Sequence, residues 1–309
     1  MDFRHKERPF YTVNDFYQQK FGTKVIKIPL SGNFSCPNRD GTLGVGGCTY
    51  CADMASGGSA GHSIPLEIQY QQGLATLRKK WPTGKTIAYF QSNTNTYAPV
   101  AVLRELFTRA LTLDGDLVGL SIATRPDCLP EDVLDLLSEL NRQTFLTVEL
   151  GLQTIHKKTA ALLHRGHDLE TFVQAVFSLH ERQIHTVVHI INSLPGESKE
   201  DMLATAEFLN TLPIQGLKIH MLYLVEQSAL GQAYLQTPFP LLSLSEYVEI
   251  TSAQIERLRP DIILYRLTGD PIREDLIAPD WVLKKFVVTN EIDKLLRSRH
   301  TFQGVYYQP

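Results

Sequence analysis

The 309-residue sequence has only four cysteines, contains no apolar run long enough to cross a bilayer and carries no large excess of charge of either sign. A transmembrane helix needs roughly 20 consecutive apolar residues. The amino-terminal stretch MDFRHKERPFY also lacks the apolar core and the cleavage site of a signal peptide. These absences argue against a membrane partner and predict a cytoplasmic location.

Nucleic acid binding is neither indicated nor excluded by the charge. A formal net charge of −3 gives no overall attraction for an acidic polymer. Local basic clusters are present at residues 4–8 (RHKER), 78–80 (RKK), 284–285 (KK) and 297–300 (RSRH). Short clusters of this kind are typical of solvated surfaces, so they permit an RNA partner without indicating one.

The cysteines are too few for a disulfide framework in a chain of this length, so clustered thiols indicate a metal site or a catalytic site. Three of them lie in the stretch SCPNRDGTLGVGGCTYC, where Cys36, Cys48 and Cys51 have the spacing C-x11-C-x2-C. The C-x-x-C pair alone is compatible with a zinc ribbon, a thioredoxin-like redox pair or an iron–sulfur site. A structural zinc site normally has four ligands, whereas three thiolates can hold a four-iron, four-sulfur cluster with one iron left open.

Short β-branched runs alternate along the chain with stretches of helical period, the pattern of βα units around a parallel sheet. The predicted strands lie at residues 24–30, 86–91, 117–123, 145–150, 186–191 and 216–222. Start signals precede three of the intervening helices, at Pro130, Asp168 and Ser198. We therefore predict an α/β fold, a partial (βα)6 TIM-like barrel formed by residues 1–225.

The alternation weakens after about Leu241. SLSEYVEITSAQIERL predicts a helix capped by Ser243 or Ser245, DIILYRL a further strand, and the stretch from APDW to RSR a helical region. Residues 226–309 are therefore predicted to form an α/β extension packed on the barrel. In a barrel of this kind the chemistry collects at the carboxyl ends of the strands, and a polar or glycine-containing segment follows each of the six predicted strands.

Five further motifs follow the cysteine loop in order: YFQSNTNTYAP, GLSIATRPDCL, VELGLQTIHKKTAALLHRGHD, LPGE and KIHML. With a three-cysteine loop after the first strand and an aromatic residue just before the last cysteine, the chain resembles the radical S-adenosylmethionine (SAM) superfamily. The long first cysteine gap is similar to that of the elongator catalytic subunit and a bacterial family of its relatives. The resemblance covers residues 10–303, but only 85 residues follow Leu224, too few for the acetyltransferase domain of the elongator subunit.

This resemblance implies both the cofactors and the reaction. Cys36, Cys48 and Cys51 would bind a [4Fe–4S] cluster whose open iron chelates the methionine part of SAM. One electron, delivered by a donor such as flavodoxin or ferredoxin, would cleave SAM to methionine and a 5′-deoxyadenosyl radical, which abstracts a hydrogen atom from the substrate. Such a radical needs an enclosed site that keeps other reactants away.

The resemblance also implies residues that contact SAM. Tyr50 would present its backbone to the adenine, and Arg165 offers a fork of donors that fits the methionine carboxylate. The strand-end motif Gly-Gly-Glu that relatives use for the SAM amino group is absent, and Gln91 and Ser92 occupy its position. The remaining implied contacts lie at the fourth and fifth strands: Glu149, Gln153, Ile191 and Asn192.

Substrate-binding candidates are the polar side chains expected around the same opening: Tyr97, Arg125, Asp127, His189, His220, Tyr223, Arg266 and Asp270. A lone histidine in an apolar strand is more often a satisfied core residue, and this alternative applies to His189 and His220. Cys128 is a candidate hydrogen-atom donor to a product radical, although an isolated cysteine is more often only packed.

The resemblance leads us to expect a radical SAM enzyme that modifies the wobble uridine of tRNA. It implies conversion of a carboxymethylaminomethyl group at carbon 5 to aminomethyl, before a separate tRNA methyltransferase acts. Hydrogen abstraction beside the amine nitrogen would start the loss of the carboxymethyl unit. Two alternatives stay open: a radical SAM enzyme acting on a small molecule, in the manner of coproporphyrinogen-oxidase-like relatives, and a non-catalytic, zinc-stabilised RNA-binding protein.

Overall fold

The computed structural model describes residue 3 and residues 7–52 and 64–308, so Arg4, His5 and Lys6 of the first basic cluster lie outside the described residues. The described strands are β1 (Val25–Leu30), β2 (Lys85–Phe90), β3 (Leu117–Thr124), β4 (Phe145–Gln153), β5 (His185–Asn192), β6 (Gly216–Met221), β7 (Leu224–Val225), β8 (Ile263–Arg266) and β9 (Leu276–Ala278). The described α-helices are α1 (Val13–Phe21), α2 (Leu66–Arg78), α3 (Val100–Ala110), α4 (Glu131–Gln143), α5 (Lys157–Leu162), α6 (Leu169–Glu181), α7 (Lys199–Leu209), α8 (Ala229–Gln236), α9 (Leu244–Arg257) and α10 (Lys285–Ser298). Short 3-10 helices lie at Pro126–Cys128, Arg273–Asp275 and Asp280–Leu283.

Seven strands form one parallel sheet in the order β1-β2-β3-β4-β5-β6-β8, with β1 and β8 at its edges. The Nζ atom of Lys218 on β6 lies 3.0 Å from the hydroxyl of Tyr89 on β2. Neighbouring strands are about 4.8 Å apart, so two strands that are separated by three others meet only if the sheet curls. The result is the predicted α/β partial barrel, with β8 added at one edge.

The strands and helix starts follow the sequence signals closely. All six predicted strands are confirmed, and β4 is longer than predicted because it continues to Gln153. Asp168, Ser198 and Ser243 are the N-cap residues of α6, α7 and α9, and each side chain accepts a hydrogen bond from a backbone N–H in the first turn. Pro130 directly precedes α4, as predicted.

The two faces of the sheet differ in character because successive side chains of a strand point to opposite sides. The convex face packs on the helices through a large apolar core, to which each central strand contributes, for example through Ile28, Phe90, Ile122, Val148, Ile190 and Leu217. The concave face, called the barrel interior below, carries polar side chains that contact one another: Lys27, Tyr89, Ser121, Glu149, His189 and Lys218.

Helix α1 closes the amino end of the barrel interior. The ring of Phe16 stacks on that of His185, the first residue of β5, with centroids 5.2 Å apart, and it lies 5.8 Å from Phe145, the first residue of β4. The Tyr265 hydroxyl on β8 is 2.9 Å from His185 Nε2. The opening of the barrel is therefore at the carboxyl ends of the strands, where the sequence predicts the chemistry.

The predicted extension joins the barrel through its strand and two of its helices. β8 pairs with β6, so the main sheet continues across the boundary predicted at residue 225. α9 packs against α7 and α10, which confirms the predicted helices of this region. No helix in the described ranges is both long and apolar enough to cross a membrane.

Candidate active site at the carboxyl ends of the strands

Three of the four cysteines lie together in the loop that follows β1. Cys48 and Cys51 share a side-chain hydrogen bond, and Cys36 is close enough to Cys51 to act on it electrostatically. All three are free thiols, with Cys48 buried and the other two partly exposed. The part of the chain that the structure describes holds no group of three His, Cys, Asp or Glu side chains placed for a single metal ion.

The surroundings of Cys48 favour negative charge on its sulfur, whereas the hydrogen bond to Cys48 and burial raise the pKa of Cys51 well above its usual range. Asn38 Nδ2 donates to Cys48 Sγ at 3.4 Å, and the Arg125 guanidinium lies within electrostatic range. The hydrogen bond from Cys51, with smaller contributions from Arg125 and Asn38, lowers the pKa of Cys48 to about 6. Iron–sulfur clusters are held by thiolates and are tuned by hydrogen bonds to sulfur, so this donor set fits such a cluster.

The cysteine loop is held by backbone hydrogen bonds. Gly47 N donates to Asn38 O at 2.8 Å, and Thr49 N donates to Leu163 O at 2.9 Å, just after α5. Gly47 has a φ of +87°, a left-handed conformation that suits glycine, and a Cβ atom there would lie 3.1 Å from Arg39 Nε. The loop thus carries its thiols on a backbone that is anchored to the residues after β4.

An ion pair follows β3 beside the thiols. Arg125 Nε and Nη2 donate to the two carboxylate oxygens of Asp127 at 2.9 and 2.7 Å, and Arg125 Nη1 donates to Arg165 O at 2.8 Å. Arg125 and Asp127, both predicted substrate residues, are therefore bound to each other. Burial raises the pKa of the adjacent Cys128 to about 12, so this thiol is neutral.

Arg165 holds the end of β4. Its Nη1 donates to the carbonyl oxygens of Leu152 at 2.5 Å and Thr154 at 2.7 Å, and its Nε donates to that of His167 at 3.1 Å. Burial lowers the pKa of this guanidinium. These bonds give Arg165 a role in the backbone of the site, and its contact with the SAM carboxylate stays a prediction.

Gln153 ends β4 with a buried acceptor that has no donor. Its φ of +61° is rare for a residue other than glycine. The residue is 8% exposed, and its Oε1 atom has no hydrogen-bond partner within the described ranges. A buried acceptor without a donor costs about 1–3 kcal/mol, so a ligand that donates here would be stabilised. The contact between Gln153 and SAM stays a prediction, and this atom supports it.

A network of charges fills the middle of the barrel interior around the fully buried Glu149 on β4. Each partner of this carboxylate lies on a different strand. The partners are Lys27 Nζ (2.7 Å), Ser121 Oγ (2.9 Å), the Tyr89 hydroxyl (2.8 Å), His189 Nε2 (2.8 Å) and Lys218 Nζ. Both carboxylate oxygens are engaged, so the predicted contact between Glu149 and SAM requires the exchange of one of these bonds.

The network keeps Glu149 ionised. Burial acts to raise the pKa of Glu149, but Lys218 and Lys27 outweigh it and hold that pKa well below its usual range. Burial opposes charge on Lys27, yet Glu149 raises the pKa of this lysine. Burial lowers the pKa of Lys218 to about 7 and that of His189 to about 4, in spite of the carboxylate. His189 is therefore a neutral member of the network at pH 7.

Three further substrate candidates lie towards the carboxyl ends of β6 and β8. The ring of His220 is 5.1 Å from that of His189. Arg266 ends β8 opposite Lys218 on β6. Tyr223 follows β6, and its ring would meet a Cβ atom built at Gly269. The structure thus brings His189, His220 and Arg266 together.

Several predicted SAM contacts lie near the cysteine loop. Tyr50 and Ile191 pack in one apolar cluster. Gln91 and Ser92 directly follow β2, and Ser92 is buried. The hydroxyl of Tyr97, a predicted substrate residue, lies 2.8 Å from a threonine hydroxyl of the loop. The roles of these residues remain predictions.

Two predicted residues point elsewhere. The side-chain amide of Asn192 donates to Gln254 Oε1 on α9 at 2.8 Å, so it belongs to the helix layer, because successive side chains of β5 alternate between the two faces. Only the backbone of Asn192 remains for a cofactor. Asp270 is exposed and pairs with Lys285 at 2.9 Å, which directs its carboxylate to the surface.

The sequence analysis does not single out Lys27 or Lys218, the two cations of the interior network. Each is a lone lysine within an apolar strand, in VIKIPL and GLKIHM. Lysine is almost never fully buried unless it is paired, so this pattern was a usable signal for a buried carboxylate partner. Asn38, which donates to Cys48, gives no comparable signal.

Comparison with known proteins decides the family. Residues 40–209, more than half of the chain, match the model of the radical SAM superfamily. The chain belongs to the radical SAM superfamily. Residues 214–298 match the radical SAM C-terminal domain. This radical SAM protein is an iron–sulfur enzyme whose cofactors are a [4Fe–4S] cluster and SAM, and the alternative of a non-catalytic zinc-stabilised protein is therefore wrong.

The chain is similar to one relative over nearly its whole length and to a tRNA-modifying enzyme over a shorter segment. The chain is 44% identical over 307 residues to the uncharacterized protein YtqA of Bacillus subtilis, covering 99% of this chain and 95% of the relative. It is 30% identical over 129 residues to the tRNA uridine(34) acetyltransferase of Dehalococcoides mccartyi, covering 40% of this chain and 28% of that protein.

A solved structure shares the fold. The archaeal Methanocaldococcus infernus Elp3 with an amino-terminal deletion superposes with a TM-score of 0.67 and 17% identity over 90% of this radical SAM enzyme. The enzyme spans 64% of the length of that solved chain. The predicted kinship with the elongator catalytic subunit is confirmed.

Proposed function

We propose that this radical SAM enzyme acts on the wobble uridine of tRNA and converts a carboxymethylaminomethyl group at carbon 5 to aminomethyl. The observation that carries the substrate class is the similarity to a tRNA uridine(34) acetyltransferase over 40% of the chain. When bound, the cluster and SAM supply hydrogen-atom abstraction by a carbon-centred radical. The rest of the proposal concerns what the residues of this chain do.

The cysteine loop and the ends of β4 and β5 would hold the cofactors. Cys36, Cys48 and Cys51 would bind the cluster, since they are free thiols in one anchored loop. Gln153 would bind SAM, because its buried Oε1 lacks a donor among the described residues. Ile191, which packs in the apolar cluster that contains Tyr50, would help to exclude water from the radical.

A surface that suits RNA supports the substrate class. Lys80 Nζ lies 4.8 Å from the ring centroid of Trp81 and 4.9 Å from that of Phe286, while Lys24 Nζ lies 5.1 Å from Trp81. Phe286 is 66% exposed, and Lys284 beside it is also exposed. We call Lys24, Lys80, Trp81, Lys284 and Phe286 the basic–aromatic patch.

The patch unites two basic clusters that are about 200 residues apart in the sequence, at residues 78–80 and 284–285. An exposed ring offers a stacking surface for an unpaired base, and the lysines offer contacts to phosphate. Lys24 directly precedes the edge strand β1, and the helix that carries Phe286 follows the other edge strand, β8. Lys80 and Trp81 likewise precede β2, so the patch lies beside the amino ends of β1 and β2. RNA bound at the patch would have to extend from there to the opening at the carboxyl ends.

Deletion of the gene tests the reaction. Mass spectrometry of tRNA nucleosides from the deletion strain is expected to show accumulated carboxymethylaminomethyluridine derivatives and the loss of the aminomethyl form and of anything made from it. Wobble uridines that are identical in the deletion strain and the wild type would overturn the proposed reaction.

Binding of tRNA to the full-length holoenzyme tests the patch. The double variant Lys80→Glu with Lys284→Glu is expected to weaken binding at least 10-fold. It should also reduce the slope of log affinity against log salt by about 1.4–1.8, since each of the two phosphate contacts contributes about 0.7–0.9. The matched control is Lys294→Glu, farther along the same helix α10. If the control and the double variant bound tRNA with equal affinity, the basic–aromatic patch would not be a tRNA-binding surface.

The proposal includes partners and location. It places the enzyme in the cytoplasm, with flavodoxin or ferredoxin as the electron donor and a tRNA methyltransferase acting on the product. It treats residues 1–225 as the catalytic barrel and residues 226–309 as an extension that completes the sheet with β8. Reduction of the cluster by purified donors, followed by SAM cleavage, tests the choice of donor.

A further inference from the structure

A bulge in β8 directs two successive side chains into the barrel interior. In the ladder between β6 and β8, Leu217 lies opposite Leu264, but Lys218 lies opposite Arg266, so Tyr265 is an extra residue. Bulges re-aim side chains in this way. The Tyr265 ring lies 5.0 Å from Lys27 Nζ in the interior, and Arg266 takes the position beside Lys218 on the same face.

Arg266 has cations and neutral rings as its neighbours. It is close enough to Lys27, Lys218, His189 and His220 to oppose their protonation electrostatically. Within the described ranges, no carboxylate or carbonyl accepts a hydrogen bond from its guanidinium, although a guanidinium carries five donors. This side chain therefore has its full donor capacity available at the carboxyl end of β8.

His220 supplies a second polar side chain beside Arg266. Its Nε2 atom is buried and has no partner among the described residues. Burial, together with His189 and Arg266, holds the pKa of His220 well below its usual range, so the ring is neutral and can donate through only one nitrogen. A buried polar atom without a partner is costly unless a ligand satisfies it.

The charges of the interior are also unbalanced. Lys27 and Arg266, with the partly protonated Lys218, face one carboxylate, Glu149, which is the only acidic side chain on the concave face of the described sheet. Unbalanced charge in a partly buried site is unfavourable, and a paired anion relieves it. An anionic ligand group would thus be attracted to the position between Arg266 and His220.

We propose that Arg266 and His220 form a carboxylate-binding site in the barrel interior that receives an anionic end of the substrate. A guanidinium fork matches a carboxylate in a bidentate geometry, and a neutral imidazole N–H adds a third donor. This inference rests on the proposed function in one respect: the carboxymethylaminomethyl group ends in a carboxylate, and its capture would hold the adjacent methylene in the enclosed interior. Arg266 and His220 are then positioning residues that select substrates which carry this acid.

The test compares two small probes that differ only in this charge. In N-benzylglycine a ring is followed by a methylene, an amine, a second methylene and a carboxylate, which is the same order of groups as in the carboxymethylaminomethyl uridine. In N-benzylglycinamide a neutral amide replaces the carboxylate. Their binding to the reconstituted holoenzyme with SAM is measured by calorimetry. We expect the wild type to bind the acid at least 10-fold more tightly than the amide.

Variants assign the preference to the two residues. Arg266→Gln is expected to reduce the preference for the acid to less than 3-fold, Arg266→Lys to leave it intermediate, and His220→Phe to reduce it at least 3-fold. Arg142→Gln, on the exposed surface of α4, is the matched control and is expected to keep the full preference. Arg266→Lys and His220→Phe decide the result if Arg266→Gln does not fold.

Either of two results overturns the site: a wild-type holoenzyme that does not distinguish the acid from the amide, or folded Arg266 and His220 variants that keep the wild-type preference. Nucleoside analysis of the deletion strain decides the tRNA proposal separately. Unchanged wobble uridines together with an Arg266-dependent preference for the acid would overturn the tRNA substrate and retain the carboxylate site.

Discussion

The amino end and the carboxyl end of the barrel interior differ in kind. At the amino end, Phe16 of α1 stacks on His185, which is hydrogen-bonded to Tyr265, so rings of three elements fill the space. At the carboxyl end, Gln153 and His220 present buried polar atoms that lack partners among the described residues. The closed end is filled by packed rings, although the Tyr17 hydroxyl on α1 also has no partner among the described residues. The open end instead carries the residues that are predicted to meet ligands.

The Glu149 network separates these two ends. It draws side chains from β1 to β6 into one set of hydrogen bonds and ion pairs. It therefore contributes to the curvature of the sheet as well as to the charge that ligands meet. Substitutions at the open end, in the network and at the closed end should accordingly affect different measurements.

The largest effect is expected at the open end. Cys48→Ser removes a thiolate that the cluster requires, so we expect the reconstituted protein to lose its iron and sulfide and to show no SAM cleavage with dithionite. The buried Cys128 lies outside the cysteine loop, and Cys128→Ser is expected to retain iron, sulfide and SAM cleavage. If Cys48→Ser kept a full cluster, the assignment of the loop would be wrong.

The next effect concerns the network. Glu149→Gln leaves Lys27 and Lys218 without their counter-charge, and breaking a buried pair from one side costs about 3–5 kcal/mol. Chemical denaturation should show this loss in the free energy of unfolding. The control is Glu139→Gln, which breaks an exposed pair with Arg104 and should cost at most about 1 kcal/mol. Similar losses in both variants would contradict a central role for the network.

A smaller effect is expected at the closed end. Phe16→Ala removes a ring that packs against His185 and Phe145, and we expect a loss of about 3 kcal/mol in the free energy of unfolding. Iron content and SAM cleavage should be unchanged below the melting temperature. Phe177→Ala, at a ring that is 44% exposed, is the control and should cost less than about 1 kcal/mol. If the folded Phe16→Ala variant failed to bind the cluster, the closed end would affect the active site as well as stability, which would contradict the proposed difference between the two ends.

The smallest effect is a pH dependence of the closed end. Burial, with Lys27 and Lys20, lowers the pKa of His185 to about 3, whereas an unfolded histidine titrates near 6.5. Between these values the unfolded state binds more protons, so the free energy of unfolding falls as the pH is lowered, by about 2 kcal/mol near pH 5.

The loss of stability at acidic pH can be assigned to His185 by comparison with variants at two histidines. Denaturation of His185→Phe between pH 7 and 5 should show a smaller loss than the wild type, because this proton-linked contribution has been removed. The exposed His180 is the matched control, and His180→Phe should follow the wild type. If all three proteins showed the same pH dependence, His185 would not be the buried neutral group described above.

Much of the fold was predictable because its signals are local. The strands are apolar β-branched runs, and the N-caps Asp168, Ser198 and Ser243 are marked by residue type. The cluster ligands were predictable for the same reason, since one loop holds Cys36 and Cys48 with Cys51. The network was missed because its members are single residues on six different strands.

The sequence by itself determined the order of the strands and helices, the three-thiol loop and the family. The tertiary structure decided which polar residues have partners. Curling of the sheet brings Tyr89 to Lys218, and the bulge at Tyr265 turns Arg266 towards the interior. Side chains of strands far apart in sequence meet only when the sheet is formed, so their charge balance is a property of the fold.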